Sequence, residues 1–255
     1  MAFLEGQHPR VIAHRGLSLK HAENTVGAFE AALNSGADIL ETDVHLSKEG
    51  SVIVAHDPDL TRVAGRPGLV AEFSERQLVE MDLGFGEGFP TLDQVLRRFP
   101  DAKFNIDLKT RAAVDPFVEV IRAHGAENRI LATSFDEPTR KAVVNLLPEV
   151  ASSTSQSMVI QARLRTWLGL PMERWAVPPE VVALQIPPAR YGLALVTPSM
   201  LRLAKRKGLE VHVWTINNPD DMRRLWTMGV HGIVTDRSDL AVEVRGELFP
   251  ELTLG

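Results

Sequence analysis

A regular alternation of short apolar runs and helical patterns is the feature that most constrains how this 255-residue chain folds. Apolar runs rich in β-branched residues predict eight strands, near residues 11, 39, 104, 130, 150, 182, 211 and 232. Each except the second is followed closely by a helical pattern, and the helix that belongs to the second comes late, near residues 91–98. Eight strand–helix units in about 250 residues predict an α/β fold of the (β/α)8 TIM-barrel type.

The chain contains no Pro- or Ser-rich linker, so we expect one domain over residues 1–255, with its core at about 9–245. Residues 58–91 interrupt the alternation with a series of glycines and prolines, which predicts a short insertion after the second strand. We expect this insertion to have little regular structure and to lie over one end of the domain. A doubly wound open sheet is the alternative fold, although no GxGxxG motif follows the first strand to support its dinucleotide-binding version.

Composition excludes several classes of protein. A net charge of −5 provides no basic surface for nucleic acid. The absence of cysteine excludes disulfides, thiolate catalysis and cysteine-based zinc sites. No uncharged apolar run approaches the ~20 residues of a membrane span, and the first residues lack the pattern of a secretory signal. We therefore expect a cytoplasmic protein that takes a small-molecule substrate; the sequence leaves its oligomeric state open.

An acidic pair, Glu41 and Asp43, lies within one strand-like apolar run, residues 38–44. Glu41 and Asp43 are two positions apart, and side chains on a strand alternate between faces, so both point the same way. Adjacent carboxylates repel each other unless a cation or a shared proton neutralises them. Oxygen ligands suit Mg²⁺ or Ca²⁺, which makes the pair a candidate metal site. The alternative is an acidic pair at the solvated end of a strand.

Functional residues recur where the predicted strands end. In a (β/α)8 barrel the active site is built at the carboxyl ends of the strands. The positions concerned are His14 and Arg15, Glu41 and Asp43, His56 and Asp57, Asp107 and Lys109, Trp214, and Thr235 and Asp236. Scattered residues that share one structural position indicate an active site more strongly than any single motif.

The motifs, taken in order, resemble those of the glycerophosphodiester phosphodiesterase family. They are His14-Arg15-Gly16, Glu23-Asn24-Thr25, Glu41-Thr42-Asp43, His56-Asp57, Asn105-Ile106-Asp107-Leu108-Lys109, Trp214-Thr215 and Gly232-Ile233-Val234-Thr235-Asp236. The similarity runs from about residue 10 to residue 240. It implies a TIM barrel, one divalent cation, Mg²⁺ or Ca²⁺, and hydrolysis of glycerophosphodiesters to sn-glycerol 3-phosphate and an alcohol.

This resemblance implies a metal site and a phosphate site. A cation held by Glu41, Asp43 and Asp107 would neutralise the charge that develops on the phosphoryl oxygens. Asp107 stands where the family often has glutamate, so the ion would lie differently or recruit another water. Arg15 and Lys109 would bind phosphate oxygens. The alternative for Arg15 is an ion pair with one of the carboxylates.

By the same resemblance, His14 and His56 are the catalytic acid and base, without an indication of which is which. Glu23 and Asn24 would hold the glycerol hydroxyls or support the residues that contact the substrate, although Asn24 could instead cap the helix that follows. Trp214 would pack against glycerol carbons or belong to the core. The attacking oxygen could come from a substrate hydroxyl, giving a cyclic phosphate, or directly from a metal-bound water.

An apolar stretch at residues 158–172 leaves the substrate class open. Ile160, Leu164 and Trp167 share one helix face, with Arg163 and Arg165 between them. This stretch is either an outer helix packed against its neighbours or a lip for an acyl chain. The lip would make the protein a lysophospholipase D with transient lipid contact, as in some relatives of the family. A catalytically silent phosphodiester-binding barrel is a third hypothesis, against which the intact set of predicted catalytic residues argues.

Overall fold

The computed structural model describes residues 2–253. In chain order its strands are β1 (Arg10–His14), β2 (Ile39–Leu46), β3 (Val52–Val54), β4 (Lys103–Leu108), β5 (Ile130–Thr133), β6 (Ala151–Ser153), β7 (Val181–Ile186), β8 (Ala189–Arg190), β9 (Leu193–Ala194), β10 (Glu210–Val213) and β11 (Gly232–Thr235). Its α-helices are α1 (Val26–Asn34), α2 (Thr61–Ala64), α3 (Glu75–Val79), α4 (Leu92–Arg98), α5 (Val114–Ala123), α6 (Glu137–Leu146), α7 (Gln156–Trp167), α8 (Pro198–Arg206), α9 (Pro219–Thr227) and α10 (Ser238–Leu248).

Eight of these strands form a closed parallel barrel. Their order is β1-β11-β10-β7-β6-β5-β4-β2, and β2 pairs again with β1. Strand β3 extends β2 as an antiparallel partner. The predicted TIM barrel is therefore confirmed, together with its eight strands. The open-sheet alternative is wrong because β1 has a parallel neighbour on both sides.

Several helices begin at a side-chain cap and present an apolar face to the barrel. Helix α1 begins after Thr25, whose side chain accepts a hydrogen bond from the Ala28 amide, so Asn24 is not the cap. The late helix α4 has a capping box between Thr91 and Gln94. Buried apolar side chains on one face of each helix outside the insertion cover the outside of the barrel, as Phe117 of α5 does. The core consequently lies between the strands and the ring of helices.

The insertion at 58–91 is more regular than its composition predicts. It contains α2, α3 and a 3₁₀ turn at Val70–Glu72, so the expectation of little regular structure is wrong. Burial of Leu60, Leu78 and Met81 gives the segment an apolar cluster of its own. Helices of four or five residues are too short to show a periodic pattern, and they form because tertiary packing stabilises them.

A second unpredicted element, the β8–β9 hairpin, follows β7. Its two-residue turn consists of Tyr191 and Gly192, which have φ values of 51° and 74°. Positive φ at both central positions is the geometry of a type I′ turn, whose twist matches that of the two strands. Within the described part of the chain, no helix is both long and apolar enough to cross a bilayer.

Candidate active site

The register of the barrel gathers the predicted polar residues at one end. His14 pairs with Glu41, and Glu41 pairs with Asn105. Asp43 pairs with Asp107 on the next strand. Because alternate side chains share a face, these positions converge on one cavity of about 190 Å³. The cavity is lined by His14, Arg15, Glu41, Asp43, His56, Asn105, Asp107, Lys109, Thr133, Phe135, Gln185, Trp214, Thr215 and Val234.

A tight turn after β1 orients the first two of these residues. Arg15 has a φ of 59°, and its amide donates a hydrogen bond of 2.9 Å to the carbonyl oxygen of Glu41. Gly16 has a φ of 83°, and a Cβ there would lie 2.6 Å from the backbone of Ala28. Only glycine fits at this position. The turn therefore fixes Arg15 beside β2 and places His14 at the cavity wall.

Asp236, at the end of β11, orients His14. The His14 Nδ1 lies 2.6 Å from Oδ1 of Asp236. The other oxygen, Oδ2, accepts a hydrogen bond of 2.7 Å from the side-chain amide of Asn217. Burial lowers the pKa of His14, but the Asp236 hydrogen bond and the Glu41 charge outweigh it, so the net pKa is raised. The Nε2 atom of His14 faces the cavity and lies 4.0 Å from Oε2 of Glu41.

His56 has a similar partner. Its Nδ1 lies 2.6 Å from Oδ1 of Asp57, whose second oxygen accepts a hydrogen bond from Arg62 of helix α2. The same guanidinium donates two hydrogen bonds to Glu23, at 2.7 and 2.8 Å. Glu23 also accepts from Arg15, at 2.9 Å. Arg62 therefore connects the surroundings of His56 to those of Arg15.

Three carboxylates and two cations form the floor of the cavity. Lys109 Nζ lies 2.6 Å from Asp43 Oδ1 and 2.7 Å from Asp107 Oδ2. Arg15 Nε is farther away, 3.8 Å from Asp43 Oδ2. Burial, together with the adjacent Asp43 charge, raises the pKa of Glu41 to about 8. Burial also raises the pKa of Asp107, against the opposing effect of Lys109. Three ionised carboxylates would exceed these two cations by one negative charge, so a further cation would favour the ionised form of Glu41.

The unpaired oxygens of this floor fit a hard cation. Asp43 Oδ2, Asn105 Oδ1 and Asp107 Oδ1 are buried and have no hydrogen-bond partner. Among residues 2–253, no three acidic or histidine side chains are already gathered as metal ligands would be. The Lys109 ammonium lies between the two aspartates instead. These hard oxygen donors match Mg²⁺ or Ca²⁺, which would compete with this ammonium.

Three other predicted residues differ in their positions. Trp214 lines the cavity and contacts Phe135 edge to face, with ring centroids 5.9 Å apart. Glu23 lies outside the cavity lining, between its two arginine partners. Asn24 is 2% exposed and accepts a hydrogen bond of 2.7 Å from Thr42. Contact of Glu23 and Asn24 with glycerol hydroxyls stays a prediction.

Several residues at the site were not predicted from the sequence, namely Asn105, Thr133, Phe135, Gln185, Asn217 and Arg62. Two of them carried a local signal. Gln185 is the one polar residue in the run 181–186, and Asn105 shares a strand face with Asp107. Arg62 and Asn217 carried none, because their contacts depend on how distant segments meet.

Comparison with known proteins places this geometry in a family. The model of the glycerophosphoryl diester phosphodiesterase family matches residues 14–240. A probable glycerophosphodiester phosphodiesterase 2 of Mycobacterium tuberculosis is 36% identical over 241 residues, which are 92% of this chain and 91% of that protein.

Solved structures agree with this assignment. The crystal structure of a glycerophosphodiester phosphodiesterase from Agrobacterium tumefaciens has a TM-score of 0.77 and 26% identity, covering 93% of this chain and 99% of that one. An Oleispira antarctica phosphodiesterase, in complex with the product sn-glycerol-3-phosphate, has a TM-score of 0.78 and 24% identity, covering 93% and 96%. The fold, the motif order and these similarities lead to one conclusion: the chain belongs to the glycerophosphoryl diester phosphodiesterase family, a class of phosphoric diester hydrolases.

Proposed function

We propose that this enzyme hydrolyses small glycerophosphodiesters to sn-glycerol 3-phosphate and an alcohol, with His14 and His56 as its acid–base pair and one divalent cation as cofactor. The observation that carries the proposal is the pairing of each imidazole with an aspartate at 2.6 Å, in one cavity with an acidic floor. The sn-glycerol-3-phosphate bound to the Oleispira antarctica phosphodiesterase supports the substrate class.

The chain's own cations would hold the phosphodiester. A phosphodiester is anionic, and Arg15 presents a guanidinium that can bind two phosphate oxygens. Glu41, Asp43 and Asp107 would hold the divalent cation, with the Asn105 oxygen beside them. Such an ion, when bound, stabilises the negative charge that develops on the phosphoryl oxygens. Lys109, whose Nζ lies within 2.7 Å of Asp43 and Asp107, would supply a second positive charge to the phosphate.

The two histidines would move the protons. One takes a proton from the attacking oxygen, and the other gives a proton to the departing alkoxide. Asp236 and Asp57 accept from the Nδ1–H of each ring, which fixes the tautomer and directs Nε2 away from the aspartate. Attack by a substrate hydroxyl and attack by water both need this pair of transfers.

Substrates with different leaving groups test the division of roles. We expect His14→Ala and His56→Ala each to lower kcat on glycerophosphocholine by roughly 10²–10⁴-fold, the usual scale of general acid–base catalysis. The nitrophenolate of a nitrophenyl diester departs almost without protonation. Loss of the acid should therefore lower kcat far less on this substrate, while loss of the base should lower kcat equally on both substrates. Equal losses for both variants on both substrates would contradict the assignment. His124→Ala is the control, because that ring pairs with Asp93 outside the site.

Chelation tests the cation separately. We expect EDTA to abolish release of sn-glycerol 3-phosphate from a panel of head groups, and Mg²⁺ or Ca²⁺ to restore it, because the donors are hard oxygens. Full turnover in the chelator would remove the cation from the proposal. The same panel would rank the alcohols that the enzyme accepts.

A second candidate function, lysophospholipase D, is favoured by an apolar groove beside the cavity. The groove has a volume of about 250 Å³ and shares Phe135, Gln185 and Trp214 with the cavity. Ile160 and Leu164 line it and are 51% and 48% exposed, so this face of α7 is not packed against a neighbouring helix. We expect Leu164→Asp to lower turnover of lysophosphatidylcholine without affecting glycerophosphocholine. Absence of any lysolipid turnover by the wild-type enzyme would exclude this candidate.

A further inference from the structure

Exposed apolar side chains concentrate on one side of the barrel. Of the thirteen large hydrophobic side chains that are exposed in residues 2–253, five lie on α7 or just after it and two lie on the β8–β9 hairpin. We call the six that matter here the apolar rim: Ile160, Leu164, Trp167, Leu168, Tyr191 and Leu193. A contiguous exposed apolar surface of this kind marks an interaction site.

The rim is continuous along the helix and across to the hairpin. Ile160, Leu164 and Leu168 are spaced by four residues, and Trp167 is seven from Ile160, so all four share one helix face. The exposed fraction of these side chains lies between 48% at Leu164 and 71% at Trp167. Tyr191, at the hairpin tip, is 89% exposed and lines the same groove as Leu164.

The charged side chains interspersed among the rim residues are arginines, and the acidic residues that flank these segments, Glu173 and Glu180, pair with Arg206 and Arg140. Residues 156–172 and 181–197 contain Arg163, Arg165 and Arg190 but no aspartate or glutamate, in a chain whose net charge is −5. Arg163 Nε is buried without a hydrogen-bond partner. The Arg190 guanidinium lies over the Tyr191 ring, 5.2 Å from its centroid. The rim is therefore complementary to an anionic surface.

We propose that the apolar rim docks the enzyme onto an anionic lipid surface. Tryptophan and tyrosine favour the membrane–water interface, and an amphipathic helix with arginines can lie in its plane. Attraction of the arginines to anionic lipids adds to the apolar contact. The groove that the rim borders adjoins the catalytic cavity, with which it shares Phe135 and Trp214, so docking would bring the cavity next to the membrane. The inference does not depend on the proposed function, because docking needs no turnover.

Vesicle co-sedimentation of the full chain tests the proposal. We expect binding to vesicles of phosphatidylcholine and phosphatidylglycerol in equal parts, weaker binding to pure phosphatidylcholine, and release by added salt. Trp167→Ser with Leu168→Ser should lower the bound fraction by roughly tenfold, because both side chains leave the interface. Neither residue lines the catalytic cavity, so turnover of glycerophosphocholine should be unchanged and shows that the variant is folded.

Phe85→Ser is the matched control. Phe85 is as exposed as Trp167, 71% in both cases, but it lies in the insertion after β3. The insertion follows β3, which pairs with β2. Strand β2 lies four places from β7 in the eight-stranded ring, on the far side from the rim. We expect this control to bind vesicles like the wild type. Equal losses in the control and the rim variant would contradict the proposal.

A second measurement keeps the test decisive if the serine variant fails to fold. Trp167→Phe preserves an apolar side chain, so it should bind vesicles while losing most of the fluorescence quenching that brominated lipids cause in the wild type. A smaller part of the quenching should remain, because Trp214 lines the groove. Undiminished quenching in this variant would overturn the proposal, as would absence of wild-type binding. Sedimentation equilibrium tests the remaining possibility, that the protein self-associates through the rim. A wild-type dimer that Trp167→Ser converts to a monomer would show that a second copy covers the rim, and would replace the proposal.

Discussion

The hydrogen bond between Asp236 and His14 allows a sharp prediction for the variant Asp236→Asn. The substitution keeps the shape of the side chain and removes its charge. Asn217 accepts hydrogen bonds from the Asp236 amide at 2.9 Å and from Thr235 Oγ1 at 3.0 Å, so its side-chain NH₂ has to face residue 236. An asparagine at 236 can offer its oxygen to His14 or to Asn217 but not to both, because its other atom is a donor.

The magnitude follows from the bond that is lost. A hydrogen bond to a charged group contributes about 1.5–3 kcal/mol, and 1.36 kcal/mol corresponds to tenfold in rate. We therefore expect kcat/KM for glycerophosphocholine to fall by about 10- to 150-fold. Burial already lowers the pKa of His14, and the Asp236 hydrogen bond opposes this. Without Asp236 the pKa of His14 falls, so the limb of the pH profile that reports His14 moves to lower pH.

The assay is the pH dependence of kcat/KM, measured by release of sn-glycerol 3-phosphate. Asp239→Asn is the control, since Asp239 pairs with Arg237 and does not line the cavity. It should leave both the rate and the profile unchanged. An Asp236→Asn enzyme with wild-type activity and an unmoved limb would refute the idea that Asp236 orients His14.

Three further predictions concern other charged groups. Arg62→Gln should lower kcat/KM by about two- to fivefold, the scale of a half-exposed ion pair, and an unchanged value would show that its contacts to both acidic partners are incidental. Glu210→Gln should destabilise the fold by about 3–5 kcal/mol, because Glu210 is the ion-pair partner of Arg10, a residue that is 1% exposed. The midpoint of thermal unfolding should drop by about 6–20 °C, whereas Glu247→Gln, which removes the exposed partner of Arg223, should barely change it. Glu41→Gln and Asp107→Asn should each weaken Mg²⁺ or Ca²⁺ binding in calorimetric titration while circular dichroism stays unchanged, and unaltered affinity in both would remove them as ligands.

Local pattern was enough to predict the barrel and the side chains along its strands. Apolar runs between helical stretches predicted eight strands, and all eight are present. The two-residue period of a strand predicted that Glu41 and Asp43 share a face. The positions of His14 and Lys109 at strand ends predicted that both lie at the active-site end of the barrel, and both line the cavity. These properties depend on neighbours within a few residues of one another, and such neighbours are visible in any single sequence.

Only the tertiary structure decided which partner each of these groups has. His14 contacts Asp236, 222 residues away, because closure of the barrel pairs β1 with β11 and places Ala13 opposite Thr235. Arg62 reaches two acidic residues because tertiary packing, which the composition does not reveal, folds the insertion. The apolar groove exists because a hairpin with two-residue strands stands beside α7. Contacts of this kind depend on long-range pairing and packing, which no local period encodes.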